Sequence, residues 1–192
     1  MNTKEDDIMP TVNEIPTNIR CIEFRQTKGD PDYGHCLYAR FYFNLDKYEL
    51  TIISDCGNYN YKWIETPESE SFLELMSRIN SEYLLEKIYG SADIFDYEKT
   101  KESLLEEYED SYEGTREKLN QILQDIENEY VPETAEDFVR RFDDELTNYV
   151  DFDTETLWEN IKKSYPSDVL KIISIFEKNI QPTIKTLLND NK

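Results

Sequence analysis

The sequence predicts an α+β fold, with an N-terminal four-stranded antiparallel sheet covered by a helix and an acidic all-helical part after it. Between residues 19 and 63 apolar and polar residues alternate with the two-residue period of strands, and the period then changes to that of helices. The chain is rich enough in apolar side chains to build a core, with 14 Tyr, 9 Phe and 2 Trp where acidic disordered chains have few aromatics. The net charge of −21 is concentrated, since residues 93–159 hold 23 Asp and Glu against 6 Lys and Arg, while residues 160–192 are net basic.

Taken in order, residues 1–18 read as a loose leader containing Pro10 and Pro16, residues 19–92 as the sheet plus helix, and residues 93–192 as an acidic helical domain or extension. The first strand spans residues 19–26, with Ile22 and Phe24 on one side and Cys21, Glu23 and Arg25 on the other. Residues 36–45 alternate more clearly. Leu37, Ala39, Phe41, Phe43 and Leu45 share one face, and Cys36, Tyr38, Arg40, Tyr42 and Asn44 the other. Asp46 and Lys47 turn the chain into residues 48–54. Asp55, Cys56, Gly57 and Asn58 supply turn chemistry before the strand over residues 59–63. Thr66, Pro67 and Glu68 predict a helix start, and Phe72, Met76, Ile79 and Tyr83 its buried stripe, with Gly90 as its end.

From Asp96 strand signals give way to helices. Tyr97, Leu104, Tyr108 and Tyr112, then Leu119, Ile122, Ile126 and Tyr130, recur at helical spacing, which fits one long bent helix or a hairpin broken at Gly114. On the opposite side Glu98, Glu102, Glu106, Glu109, Glu113 and Glu117 form a carboxylate stripe beside Asp110. A continuous helix would extend the stripe over roughly 28 Å. Like charges at this spacing cost on the order of 0.2–0.5 kcal/mol per pair, and only Lys99, Lys101, Arg116 and Lys118 lie near enough to relieve it. Helices over residues 134–149 (Phe138, Phe142, Leu146 and Tyr149 inward) and 154–165 (Leu157, Trp158 and Ile161 inward) follow, the second stopped by Pro166. Their acids include Asp143, Asp144, Asp151 and Asp153, without the loop pattern of a calcium site. Residues 167–188 are apolar and fold back into the helical core or form a dimer contact.

Several function classes are disfavoured. No apolar run reaches the roughly 20 residues of a membrane span, and the polar start lacks a secretory signal, so a cytoplasmic protein is expected. Cys21, Cys36 and Cys56 are an odd set without CxxC spacing, expected as reduced thiols; a zinc site of cysteines alone would lack a fourth ligand. A single histidine, His35, excludes two-histidine mechanisms. On one strand it and Cys36 would face opposite ways, so the pair gives no nucleophile and base. Nucleotide-binding, nucleophile-elbow and metalloprotease motifs are absent, so a protein that is not an enzyme and uses no cofactor or metal is expected. The charge repels nucleic acid and anionic membranes and attracts basic proteins. One contrary feature is a sheet face with Arg25, Tyr38, Arg40 and Tyr42, residue types able to stack bases.

The stretch CIEFRQTKGDPDYGHCLYARFYFNLDKYEL, continued by SDCGNYNYKW and ESFLELMSRINSEYLLEKI, resembles a family of small proteins of bacteriophages and integrated mobile elements. The resemblance covers residues 21–88 and implies a counter-defence protein, an inhibitor of type II CRISPR systems (anti-CRISPR); it carries over no functional residue. The expected partner is therefore a basic nucleic-acid-binding protein, such as an RNA-guided nuclease, met by Glu98, Glu102, Glu106, Glu109, Asp110, Glu113, Glu117, Asp143 and Asp144 as a nucleic-acid mimic. The alternatives are an immunity protein against a basic toxin, an RNA-binding or RNA-processing protein using the Arg and Tyr face, and an acidic surface that serves solvation alone.

Overall fold

The computed structural model describes residues 17–64, 70–109, 111, 113–146 and 154–190. The protein is α+β and forms two compact units, one from the chain up to Ile88 together with the chain from Ile172, the other from Tyr89 to Lys171.

In the first unit β1 (Ile19–Arg25), β2 (Tyr38–Asn44), β3 (Glu49–Ser54) and β4 (Gly57–Lys62) form an antiparallel sheet in the order β1-β2-β3-β4. Phe41 lies opposite Ile22 on β1 and Ile52 on β3, so the apolar residues of successive strands fall on one face. Ala39, Phe41, Phe43, Leu50 and Ile52 are buried there. The alternation fails at the entry to β2. Cys36 takes φ 67°, which turns its side chain inward at 2% exposure and leaves Leu37 outside at 43%, the reverse of their expected faces. Neither His35 nor Cys36 belongs to the strand, so the strand rule that set them on opposite faces does not apply to them.

A Ser71–Glu74 capping box starts α1 (Phe72–Arg78). The expected start at Thr66, Pro67 and Glu68 falls in residues 65–69, outside the described ones, and the helix described begins later. One helix to Gly90 was expected, but there are two. Ile79 leaves the helix with ψ 138°, and Asn80 Oδ1 accepts from the amides of Glu82 and Tyr83 at 2.7 and 3.3 Å to begin α2 (Ser81–Tyr89). Tyr83, expected inward, is exposed. Phe72 packs against Phe43, Tyr48 and Trp63, with ring centroids 6.2, 5.4 and 5.6 Å apart.

The C-terminal helix runs through α7 (Ser167–Ile175), a π-helical turn (Phe176–Ile180) and α8 (Gln181–Asn189). Pro182 has no N–H and its ring crowds the carbonyl four residues earlier. The wide turn before it places Pro182 in the first turn of α8, where the missing donor matters least. Phe176 stacks near Phe41 at 6.1 Å and α8 packs on α1, so the chain from Ile172 joins the sheet unit, not the acidic helices with which the sequence had grouped it.

The second unit contains α3 (Tyr97–Glu107), α4 (Glu113–Glu129), α5 (Ala135–Leu146) and α6 (Thr154–Asn160), with the short strands β5 (Ile94–Phe95) and β6 (Lys163–Ser164) paired antiparallel. Its core joins Tyr97, Leu104, Leu119, Ile122, Leu123, Ile126, Phe138, Val139, Phe142 and Leu157. The strand pair has no periodic signal because two residues cannot show one. The same pairing ends α6 at Asn160 instead of Pro166. Trp158, expected inward, is 45% exposed. Leu146 is described by its backbone alone, and Tyr149, Asp151 and Asp153 lie outside the described residues. No helix among the described residues is long and apolar enough to cross a membrane.

Candidate functional site

The acidic stripe is carried by an α3–α4 hairpin. Asp96 caps α3, accepting from the Lys99 amide at 3.1 Å, while its own amide donates to Lys162 O at 3.0 Å. The Ser164 hydroxyl donates to Asp96 Oδ2, and Lys99 Nζ donates to that hydroxyl at 2.7 Å. Hydrogen bonding from Ser164 and the Lys99 amide outweighs burial and holds the Asp96 carboxyl below the usual carboxylate range. Across the hairpin, buried Tyr97 donates to Leu123 O and Glu127 Oε1, each at 3.3 Å, and Lys101 pairs with Glu127. Burial, followed by the Glu127 charge, pushes the Tyr97 hydroxyl up. Contacts between the start of α3 and the end of α4 make the helices antiparallel. The break lies after the end of α3 at Glu107 and ahead of Gly114, which sits in the first turn of α4.

This hairpin shortens the stripe and folds it. Glu98, Glu102 and Glu106 run down α3 at intervals of four residues, Glu109 follows in the turn, and Glu113 and Glu117 open α4. All six are exposed, and among the described residues none forms an ion pair with a cation. Nearby cations serve other acids: Lys99 lies 3.3 Å from Asp96, Lys101 pairs with Glu127, Arg140 lies 2.6 Å from Asp137, and Arg141 lies 2.8 Å from Glu129. Lys101 and Arg141 thus compensate acids where helices meet, Lys99 and Arg140 acids on their own helix, and among the described residues no ion pair is formed by the six stripe carboxylates. Asp110 lies outside the described residues, and of Asp144 only the helical backbone is described. Asp143 is half-buried and accepts from Thr154 Oγ1 at 3.4 Å, linking α5 to the start of α6.

Near the turn end the hairpin borders a cleft of about 420 Å³ lined by Ser103, Glu106, Glu107, Glu159, Asn160 and Lys162. Buried Asn160 fixes one wall, accepting from Ser103 Oγ at 2.7 Å and donating to Thr156 O at 2.9 Å. Three carboxylates at an open cleft suit a guanidinium or ammonium group from a partner. The sequence did not single out Glu107 or Glu159. The adjacent Glu106 and Glu107 pair was visible, but only the return of α6 beside α3 brings Glu159 to it.

Residues 17–186 match the sequence profile of a phage family, Phage_phiTE_072. The chain belongs to this phage family. No curated protein and no solved structure matches it.

On the sheet of this phage protein, the Arg and Tyr face is partly neutralised from within. Glu23 accepts from Arg25 Nε at 2.8 Å and from Arg40 Nε at 2.7 Å, so both arginines share one carboxylate, which their hydrogen bonds hold down to about 2. Tyr38 and Tyr42 on the same face are half-buried. The arrangement weakens the face as a phosphate or base platform. The turn between β3 and β4 belongs to a different cluster. Asp55 Oδ2 and Oδ1 accept from the amides of Leu37 and Tyr38 at 2.9 and 3.2 Å, fastening the start of β2 to this turn. Burial pushes the Asp55 carboxyl up, but those amides outweigh it and hold it below its usual value. Gly57 follows with φ 99°, and an added Cβ would stand 2.8 Å from Tyr59 Oη, which itself donates to Cys56 O at 2.8 Å. Cys36 and Cys56 are buried and Cys21 is exposed, none of the three in a disulfide.

Proposed function

We propose that this phage protein is an inhibitor, not an enzyme, that acts in the cytoplasm of the infected bacterium. Its α3–α4 hairpin docks in the basic nucleic-acid channel of a host defence nuclease, and the resemblance of residues 21–88 favours an RNA-guided nuclease of a type II CRISPR system as target. The observation that carries this reading is the line of exposed carboxylates Glu98, Glu102, Glu106, Glu109, Glu113 and Glu117, which among the described residues form no ion pair, while Lys99, Lys101, Arg140 and Arg141 pair with other acids. Residues four apart on a helix repeat at about 6 Å, close to every second phosphate of one DNA strand at about 3.4 Å per phosphate. A basic channel that releases its counterions to nucleic acid would release them to this face for the same reason. The cleft at Glu106, Glu107 and Glu159 then receives an Arg or Lys side chain from the channel wall.

The test is competition against labelled target DNA for a purified type II effector, using the phage protein and a variant with Glu98, Glu102, Glu106, Glu113 and Glu117 all changed to Gln. The native protein should displace DNA, less effectively as salt rises, and the variant should need at least ten-fold more protein. A folded variant that competes as well as the native protein would overturn the acidic-face mechanism. Arg40→Ala with Tyr42→Ala should leave competition unchanged; loss there would transfer the function to the sheet.

A further inference from the structure

We propose that the first unit holds a single divalent transition metal ion of the zinc type, bound by the thiolates of Cys36 and Cys56 with Asp55 and His35 completing the ligand set. Cys36 Sγ, an Asp55 carboxylate oxygen and Cys56 Sγ lie within 4.8 Å of one another, and a His35 ring nitrogen lies within 4.8 Å of Cys56 Sγ. The donors come as two dipeptides, His35-Cys36 before β2 and Asp55-Cys56 in the turn before β4, brought to the same end of the sheet by strand pairing. Two thiols, one carboxylate and one imidazole are the donor types of four-coordinate zinc. A tetrahedral ion with zinc–sulfur bonds near 2.3 Å requires its donors roughly 3.3–3.8 Å apart. Gathering all four donors around one ion therefore requires their side chains to rotate toward it.

The local backbone is organised around these residues. Gln26 holds the loop ahead of His35, donating to Asp32 O and Asp32 Oδ1 at 2.9 Å each and accepting from the Gly34 amide at 2.9 Å. The positive φ of Cys36 turns its sulfur into the interior, where it lies 3.6 Å from Tyr38 O, and Cys56 is 4% exposed. Asp55 uses one lone pair of each oxygen on the Leu37 and Tyr38 amides; a carboxylate offers about four such sites, so the ion takes one that remains. Those amides then act as the outer partners that fix a metal-bound carboxylate. Binding is balanced by proton release: the two thiols lose their protons to solvent as two metal–sulfur bonds form, with no change in oxidation state. The cysteines read from sequence as three thiols lacking a fourth ligand thus become two thiols completed by neighbours of other types, and Cys21 stands apart, exposed.

The experiment is metal analysis of the full-length protein, purified under reducing conditions with zinc supplied and passed through gel filtration. One zinc per chain is expected in the native protein and in Cys21→Ser, and none in Cys36→Ser with Cys56→Ser. Cobalt added to the metal-free native protein should give a thiolate-to-cobalt charge-transfer band, and His35→Gln should weaken binding by at least the roughly 10–100-fold that loss of a supporting partner costs. The double variant is checked for folding by circular dichroism. Because the cobalt spectrum is read on the native chain, the test does not depend on that variant folding. No retained zinc and no charge-transfer band in the folded native protein, equal zinc in the folded double variant, or a Cys36–Cys56 disulfide in its place would overturn the site.

Discussion

Lys101 on α3 pairs with Glu127 on α4, at the end of the hairpin away from its turn. Glu127 also accepts from Tyr97, so one carboxylate serves two side chains of the facing helix. Both members of the ion pair are about one-third exposed, which leaves part of the interaction screened by water. Lys101→Met should lower the unfolding free energy of the second unit by about 1 kcal/mol, and Tyr97→Phe by about 1 kcal/mol through its lost hydrogen bonds. Urea unfolding of the single and double variants of Lys101 and Glu127 reads the coupling. A sum of independent effects would show that the pair contributes nothing of its own.

The last turn of α3 bears Glu106 and Glu107 and no base, so two carboxylates stand at the negative end of the helix dipole. Neutralising them as Glu106→Gln with Glu107→Gln should raise stability by about 0.3–1 kcal/mol per residue at low salt, seen as a higher melting temperature that converges with the native value as salt increases. The same double variant should lose inhibitory strength if the cleft receives a cation. A gain in stability joined to a loss of binding separates a docking face from an acidic surface that serves solvation alone, for which only the stability would change.

The strands were legible because period-2 alternation and turn residues agree, as in Phe41, Phe43, Leu50 and Ile52, each buried as the pattern requires. Helix boundaries were less so, because caps compete locally. Ser71 with Glu74 and Asn80 before Glu82 set starts that a longer apolar stripe conceals. The stripe of Glu98, Glu102 and Glu106 was legible, since it depends only on helical spacing. Whether it continues as one long helix or turns back near Gly114 was left open, because tertiary packing of Tyr97 against α4 is what selects the hairpin. The Glu159 side of the cleft and the convergence of His35, Cys36, Asp55 and Cys56 arise from contacts between distant segments, and the left-handed Cys36 inverts the face that alternation assigns to it.

Glu23 provides a pH-dependent signature on the sheet. Hydrogen bonds from Arg25 and then Arg40 lower its carboxyl from the ordinary 4.5 to about 2. A depressed folded-state value means that the contribution to stability is present above 4.5 and is lost as pH falls towards about 2, so the window for this group lies between these values. Carboxyl NMR should place the Glu23 midpoint near 2 in the native protein and appreciably higher in Arg40→Ala, while Arg20, which has no part in this pair, should leave it in place when changed to Ala. An ordinary midpoint in the native protein would show that the arginines are not held by Glu23 and would restore the face as a candidate for binding phosphate.

Gln181 offers a test of how the C-terminal helix is fastened to the first unit. Its Nε2 donates to Met76 O at 3.2 Å and to Ile79 O at 2.9 Å, two carbonyls at the end of α1 that have no partner within that helix. It lies immediately after the π-helical turn, whose wider winding sets where the first residue of α8 points. Gln181→Ala removes both bonds and should cost about 1 kcal/mol in urea unfolding. Gln181→Glu should cost more, because a carboxylate meets two carbonyl oxygens where an amide had donated. Thr183→Ala, two residues on and exposed, should stay within about 0.5 kcal/mol of native. If Gln181→Glu were as stable as the native chain, α8 would not be capping α1, and packing such as the Phe41–Phe176 contact would carry the attachment of this helix instead.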